Sequence, residues 1–211
     1  AAAEMNAYFL QRINDIRRIP QNHLLGQLVA VETEDGQLDD EELLSFCRLL
    51  LIAGNETTTG LITASARIFH EQPETLAQLK QQPELSGAFI EETLRYYSPF
   101  SATVRRATKD VELAGQNIVA GELVLPLIAS ANRDDRVFEA PDTFQIDRSP
   151  NPHLGLGFGI HFCLGAHLAR LEGRVVVEQM AERYASVALA KPEKATVGNL
   201  GGPKELAIRV G

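Results

Sequence analysis

Cysteine is scarce: Cys47 and Cys163 are the only two in 211 residues. So few thiols exclude a disulfide framework and point to a reducing compartment, so a cytoplasmic location is expected. Long apolar runs are missing too. Nothing approaches the roughly 20 consecutive apolar residues of a membrane helix, so no membrane partner is expected, and no secretory signal is visible. Positive charge is in deficit, with 20 Lys and Arg against 28 Asp and Glu and a net charge of -8. That balance argues against non-specific nucleic-acid binding. A start signal is also lacking. The chain opens in mid-pattern at Ala1-Ala2-Ala3 and reads as a fragment, a cleaved product or a truncated chain. What is present describes an ordered protein, with 45 % hydrophobic and 23 % charged residues, near the globular average.

The most informative stretch surrounds Cys163. It reads Gly155-Leu156-Gly157-Phe158-Gly159-Ile160-His161-Phe162-Cys163-Leu164-Gly165-Ala166-His167. A glycine-rich extended loop delivers one cysteine to the start of a helix expected over about 164–184, where Leu168, Leu171, Val175 and Met180 recur at helical spacing. Free backbone N–H groups and the macrodipole at a helix N-terminus favour the thiolate, the form that binds metal. Glycines at 155, 157, 159 and 165 let a flat ligand approach the backbone. Haem iron held by a single cysteine has these needs. Two plainer readings compete. A cysteine in an apolar stretch is usually a small buried hydrophobe. The other takes His161, Cys163 and His167 as zinc ligands, although a structural zinc site wants a fourth ligand. Neither accounts for the glycines.

A second motif lies upstream. Asp39 and Glu42 have the spacing of a capping box, and a long central helix is expected over about 39–71. Leu43, Leu44, Phe46, Cys47, Leu50 and Leu51 make it too apolar for a surface helix, so burial on several sides is expected. Within it falls Ala53-Gly54-Asn55-Glu56-Thr57-Thr58. Gly54 weakens the helix, and Glu56 is costly to bury without a partner. A third motif is Glu92-Thr93-Leu94-Arg95, on a helix expected over about 84–97 that ends before Pro99. Residues at i and i+3 share a helix face. Most such pairs are surface ion pairs of little worth.

Between these helices the character changes. Short strands and turns are expected over about 102–127, in the runs Val104–Leu113, Asn117–Val119 and Glu122–Leu127. Residues 138–157, with Pro141, Pro150 and Pro152, read as a long coil packed on the core. Near the start, Tyr8, Leu10, Ile13 and Ile16 recur helically, and Leu24, Leu25, Leu28 and Val29 follow Pro20 as a second helix.

Taken together, the three motifs resemble the cytochrome P-450 family of haem-thiolate monooxygenases, in its bacterial soluble style. The cysteine loop of that family follows Phe-x-x-Gly-x-x-x-Cys-x-Gly. Gly159, Cys163 and Gly165 match, while Leu156 stands where the family has phenylalanine. The resemblance implies that Cys163 is the axial ligand of haem b, with His161 a propionate partner. Arg105 best matches the other propionate-binding position, with Arg106 as the alternative. Ala53 and Gly54 would leave room for dioxygen, and Glu56 and Thr57 would relay protons. Glu92 and Arg95 would form a buried network that locks the cysteine loop. Its usual third member is an arginine in a Pro-x-Arg-Phe stretch. This chain has Pro141-Asp142-Thr143-Phe144, so either the network is incomplete or another residue substitutes.

The resemblance covers only the C-terminal half of the family's pattern. It implies a mainly α fold with a small β portion, as one partial domain over residues 1–211. It also implies a monooxygenase, or the C-terminal part of one, acting on a small organic substrate. Leu50, Ala53, Phe100, Ala102, Thr103 and the Gly201-Gly202 turn are the candidate lining. Electrons would come from a ferredoxin-type donor and its NAD(P)H reductase. His167, Arg170 and Arg174 are read either as a guide for such an acidic partner or as a solvated helix face. A missing N-terminal half, or self-association, would cover the apolar central helix. The runner-up is a non-catalytic haem-binding sensor, which needs Cys163 but no Glu56-Thr57 pair. A structural helical domain without a cofactor would leave the glycine loop unexplained.

Overall fold

The computed structural model describes residues 2–33, 36–190 and 206–211. Helices dominate, and the strands are short antiparallel pairs. The chain divides into two units, 1–55 and 56–211.

The first unit holds α1 (Ala2–Arg18), α2 (Leu24–Ala30) and the hairpin β1 (Glu32–Thr33) and β2 (Gly36–Gln37). Ile13 and Ile16 of α1 are buried at the helical spacing read from the sequence. His23 caps α2, its Nδ1 accepting from the Gly26 N–H. The long helix α3 (Asp40–Glu71) begins here. Its capping box forms in both directions: the Glu42 N–H donates to Asp39 at 2.8 Å and the Asp39 N–H donates to Glu42 at 2.9 Å. Arg17 donates to Asp40 at 2.5 Å and ties the end of α1 to the start of α3.

The second unit carries the main core. The rest of α3 joins α4 (Pro73–Gln81), α5 (Ser86–Tyr96), α6 (Ile128–Ala131) and α7 (Ala166–Arg183). Leu61, Phe69, Leu76, Phe89, Ile90, Phe144 and Val177 are among the members of one apolar cluster. Phe69 stacks on Phe89 with ring centres 5.1 Å apart, and Phe89 meets Phe144 edge-on at 5.4 Å. A side chain at Gly173 would begin 2.9 Å from Ile90, so the glycine permits α7 to approach α5. The strands pair as β3 (Arg105–Arg106) with β6 (Leu123–Val124), β4 (Val111–Leu113) with β5 (Gln116–Ile118), and β7 (Val187–Leu189) with β8 (Ile208–Val210). The run read as Val104–Leu113 is therefore two strands, broken by a turn after Arg106.

One expectation is corrected. The central helix is not buried on several sides. Its buried positions are Leu43 and Cys47 in the first unit, and Leu61, Ala64, Ser65, Ala66, Ile68 and Phe69 in the second. Residues 51–56 are exposed, and Leu49, Leu51 and Ile52 are each more than half exposed. Glu56 lies in this stretch, so it bears no burial penalty. The open middle of the helix is the surface that a missing half or self-association was expected to cover.

Candidate haem-thiolate site

The cysteine loop is shaped by its glycines. Gly157 and Gly159 have φ of +77° and +64°, in the left-handed region open to glycine at little cost. At Gly157 a side chain would also begin 2.8 Å from the carbonyl oxygen of His161. These turns fold the loop back on itself. The Phe162 N–H donates to the Gly159 oxygen at 3.0 Å, and the Cys163 N–H donates to the Leu156 oxygen at 2.8 Å. A short 3₁₀ turn spans Gly159–His161. Leu156 is buried and belongs to the core, so the residue that departs from the family pattern anchors the loop root. Cys163 is half-buried and free. It precedes α7, which starts two residues later than expected at Ala166, with Gly165 as its N-cap.

The outer face of this loop is apolar and open. Phe158, Ile160 and Leu164 are 83 %, 98 % and 76 % exposed. Such side chains on the loop of a half-buried thiol fit a flat apolar ligand whose metal takes a thiolate, as haem does. Among the described residues no three His, Cys, Asp or Glu side chains gather to hold a metal ion, which leaves a zinc site at His161, Cys163 and His167 without geometry. Haem on a single thiolate needs no such cluster. His161 and Arg105 are both exposed. Arg105 donates to the Thr103 hydroxyl and the Val104 oxygen, both at 2.9 Å, and Arg106 donates to the Gly121 oxygen at 2.8 Å. Ala53, Gly54, Glu56 and Thr57 follow one another on the continuous helix α3, Thr57 half-buried. Gly201 and Gly202 lie outside the described residues.

Behind the loop sits a buried polar network. Glu92 and Arg95 are both fully buried. Arg95 donates from Nε and Nη2 to the two carboxylate oxygens of Glu92 at 2.8 and 2.7 Å. The other hydrogen bonds of Arg95 go to the carbonyls of Asn132, Pro141 and Thr143. Thr143 contributes only its backbone, and Arg148 takes the place of the absent arginine. Its Nε lies 3.0 and 3.1 Å from the Glu92 oxygens, and its other nitrogens donate to the carbonyls of Glu139, Ala140 and Thr143. Glu92 also accepts from the Gln145 N–H and from Asn151 Nδ2. Every partner satisfies a group that burial would otherwise penalise. The coil 139–151 is thereby wrapped around α5 by hydrogen bonds, not apolar contact alone.

Two residues that sequence reasoning missed hold the loop root. Asn132 is fully buried. Its Nδ2 donates to Ser98 and its Oδ1 accepts from the Leu154 N–H, both at 2.8 Å. Glu91, next to the expected Glu92, accepts from His153 at 3.1 Å and from two Arg170 nitrogens at 2.7 and 2.8 Å. Burial would raise the Glu91 carboxyl, but the hydrogen bonds from Arg170 and His153 outweigh it and hold the group at about 2. Arg170 is therefore committed to an intramolecular pair. Arg174 lies 3.5 Å from Glu178, so the basic face of α7 is partly neutralised from within. The sequence signal that existed was the charge of Arg148, the first basic residue after Thr143. Nothing local marked Asn132 or Glu91.

The fold and this loop find close counterparts among known proteins. The family model described as Cytochrome P450 matches residues 65–195. The biotin biosynthesis cytochrome P450 of Bacillus subtilis is 43 % identical over 189 residues, which is 90 % of this chain and 48 % of that protein. Among solved structures, CYP109E1 from Bacillus megaterium in complex with testosterone superposes with a TM-score of 0.91. It is 41 % identical, over 99 % of this chain and 59 % of that one. P450BioI in complex with an acyl carrier protein ligated to hexadec-9Z-enoic acid gives 0.92 at 39 % identity, over 99 % of this chain and 54 % of that one. The chain belongs to the cytochrome P450 family. Membership implies a haem group with a cysteine thiolate ligand. The chain spans about half the length of the curated relatives it matches.

Proposed function

We propose that this chain is the haem-carrying part of a monooxygenase, and that Cys163 ligates the iron. The observation that carries the reading is the Cys163 loop: a half-buried free thiol just before α7, on a loop with two left-handed glycines and exposed apolar side chains at Phe158, Ile160 and Leu164. When bound, haem supplies the activation of dioxygen, one atom going to an organic substrate and the other to water, with two electrons from a redox partner.

The chain's own residues have separable parts. Cys163 supplies the thiolate. Gly159 and Gly165 keep the backbone low beside it. His161 and Arg105, with Arg106 as the alternative, are donors for propionates, arginine being suited to carboxylate. Ala53 and Gly54, small residues on α3, would leave room for a small molecule. The Thr57 hydroxyl passes a proton inward, and the exposed Glu56 carboxylate exchanges it with water. Phe100, Ala102 and Thr103 are candidate substrate contacts. Relatives whose structures hold testosterone or an acyl chain on a carrier protein support a bulky apolar substrate. A ferredoxin-type protein with its NAD(P)H reductase is the proposed electron source.

The test is an absorption spectrum of the reduced protein with carbon monoxide, recorded for Cys163→Ser and Cys47→Ser beside the parent. Thiolate ligation shifts the Soret band strongly to the red. The parent and Cys47→Ser should show that band, and Cys163→Ser should lose it. If Cys163→Ser keeps the band, or Cys47→Ser alone abolishes it, the ligand assignment is wrong.

A further inference from the structure

We infer that Glu91 is a positioning residue for the Cys163 ligand, acting as a clasp that fixes both ends of its loop. This inference rests on the haem-thiolate reading and goes beyond the Glu92–Arg95 network. Glu91 is on α5, while its partners flank the loop on either side: His153 ten residues before Cys163 and Arg170 seven residues after it. Arg170 approaches as a two-pronged fork, at 2.7 Å to one carboxylate oxygen and 2.8 Å to the other. That geometry fixes direction as well as distance.

His153 extends the clasp into the backbone. Its side chain is 4 % exposed, so both ring nitrogens need partners. Nε2 faces Glu91 at 3.1 Å, and Nδ1 accepts from the Gly155 N–H at 3.1 Å. The neutral ring with its proton on Nε2 satisfies both contacts at once. Gly155 in turn lies against α5 so closely that a side chain there would begin 2.7 Å from the Leu94 oxygen. One carboxylate therefore sets where the loop leaves α5 and where α7 receives it. Within the loop, backbone hydrogen bonds such as Cys163 to Leu156 span the gap. Tying both ends leaves the sulfur little freedom, which is the condition for a fixed ligand.

The test measures backbone hydrogen exchange in the haem-free protein, comparing Glu91→Gln with Glu178→Gln. Glu178 is the matched control. It also joins α7 to α5, through Ser86 at 2.5 Å, but lies away from the loop. Glu91→Gln should speed exchange at Gly157, Phe162 and Cys163 by about tenfold or more, as losing charge-assisted hydrogen bonds implies. Amides in α4 should keep their rates, and Glu178→Gln should leave the loop unchanged. Unchanged loop exchange in Glu91→Gln, or equal loosening of loop and α4, overturns the clasp. If Glu91→Gln does not fold, Arg170→Lys carries the same comparison, keeping the charge but losing the fork. In the haem-loaded protein the same variants should hold a smaller fraction in the red-shifted carbon monoxide form, while Glu178→Gln keeps the parent fraction. A parent protein without that form rejects the haem-thiolate reading. The exchange rates decide the clasp by themselves.

Discussion

At the scale of single residues, charge placement was harder to read than charge identity. Glu92 and Arg95 were legible because their spacing puts them on one face of a helix. The third partner was not, since Thr143 occupies the position where an arginine was sought. Arg148 reaches the same carboxylate from five residues further on, because the coil between them folds back on α5. Coil geometry leaves no periodic trace in sequence, so the coil partners of Glu91 and Asn132, at His153 and Leu154, were not legible. Cys163 was legible because its glycines are costly anywhere that does not need them. The Thr57 hydroxyl allows a sharper test of the proposed proton relay. In the haem-loaded whole protein, Thr57→Ala should leave the spectrum and substrate binding unchanged. Product formed per electron consumed should fall by about tenfold or more, with the balance appearing as hydrogen peroxide. Coupling equal to the parent's, measured as product against NAD(P)H consumed, removes Thr57 from the relay.

At the scale of elements, local sequence signals mark where helices begin and end. Asp39 and Glu42 start α3 where the capping box says it should begin. Pro99 limits α5, and the chain turns there through Ser98 at φ +41°. Helix periodicity reports the apolar face of α3 and not what lies against it. Glu91 links three elements, so its titration reports on their docking. Its carboxyl ordinarily titrates near 4.5 and is held at about 2 in the folded chain. A depressed carboxylate stabilises the fold fully above the ordinary value and loses that contribution as pH falls towards the folded one. The parent should therefore melt higher than Glu91→Gln at neutral pH, and the gap should close between pH 4.5 and about 2. Solvent reaches about a third of the side chain, which keeps the gap modest. Thermal melts of both proteins across that range check it. A gap independent of pH means that the carboxylate charge is not what docks these elements.

On the scale of the whole molecule, the decisive quantity is apolar surface left in water. In the second unit Phe158, Ile160, Leu164, Leu168 and Leu171 are each more than half exposed. In the first unit the same holds for Leu49, Leu51 and Ile52. Scattered apolar residues are ordinary on a protein surface, but runs of this kind mark surfaces that bind something. Covering the five side chains of the second unit is worth roughly 10 kcal/mol, at about 1.5–3 kcal/mol for each. Bringing two molecules together costs about 4–15 kcal/mol. The two are of similar size, so association of the 211-residue chain should be reversible and concentration-dependent, not a fixed stoichiometry. The net charge of -8 opposes it and is screened by salt, so association should strengthen as salt is added. Light scattering across a dilution series should show a mass rising above 23.1 kDa with concentration. A dye that fluoresces on apolar surfaces should bind, and haem should displace part of it, because the exposed Phe158, Ile160 and Leu164 belong to the loop of the proposed ligand Cys163. A monomer at every concentration that binds no dye would mean these side chains are covered in solution, and the apolar face proposed to receive haem would not exist in that form.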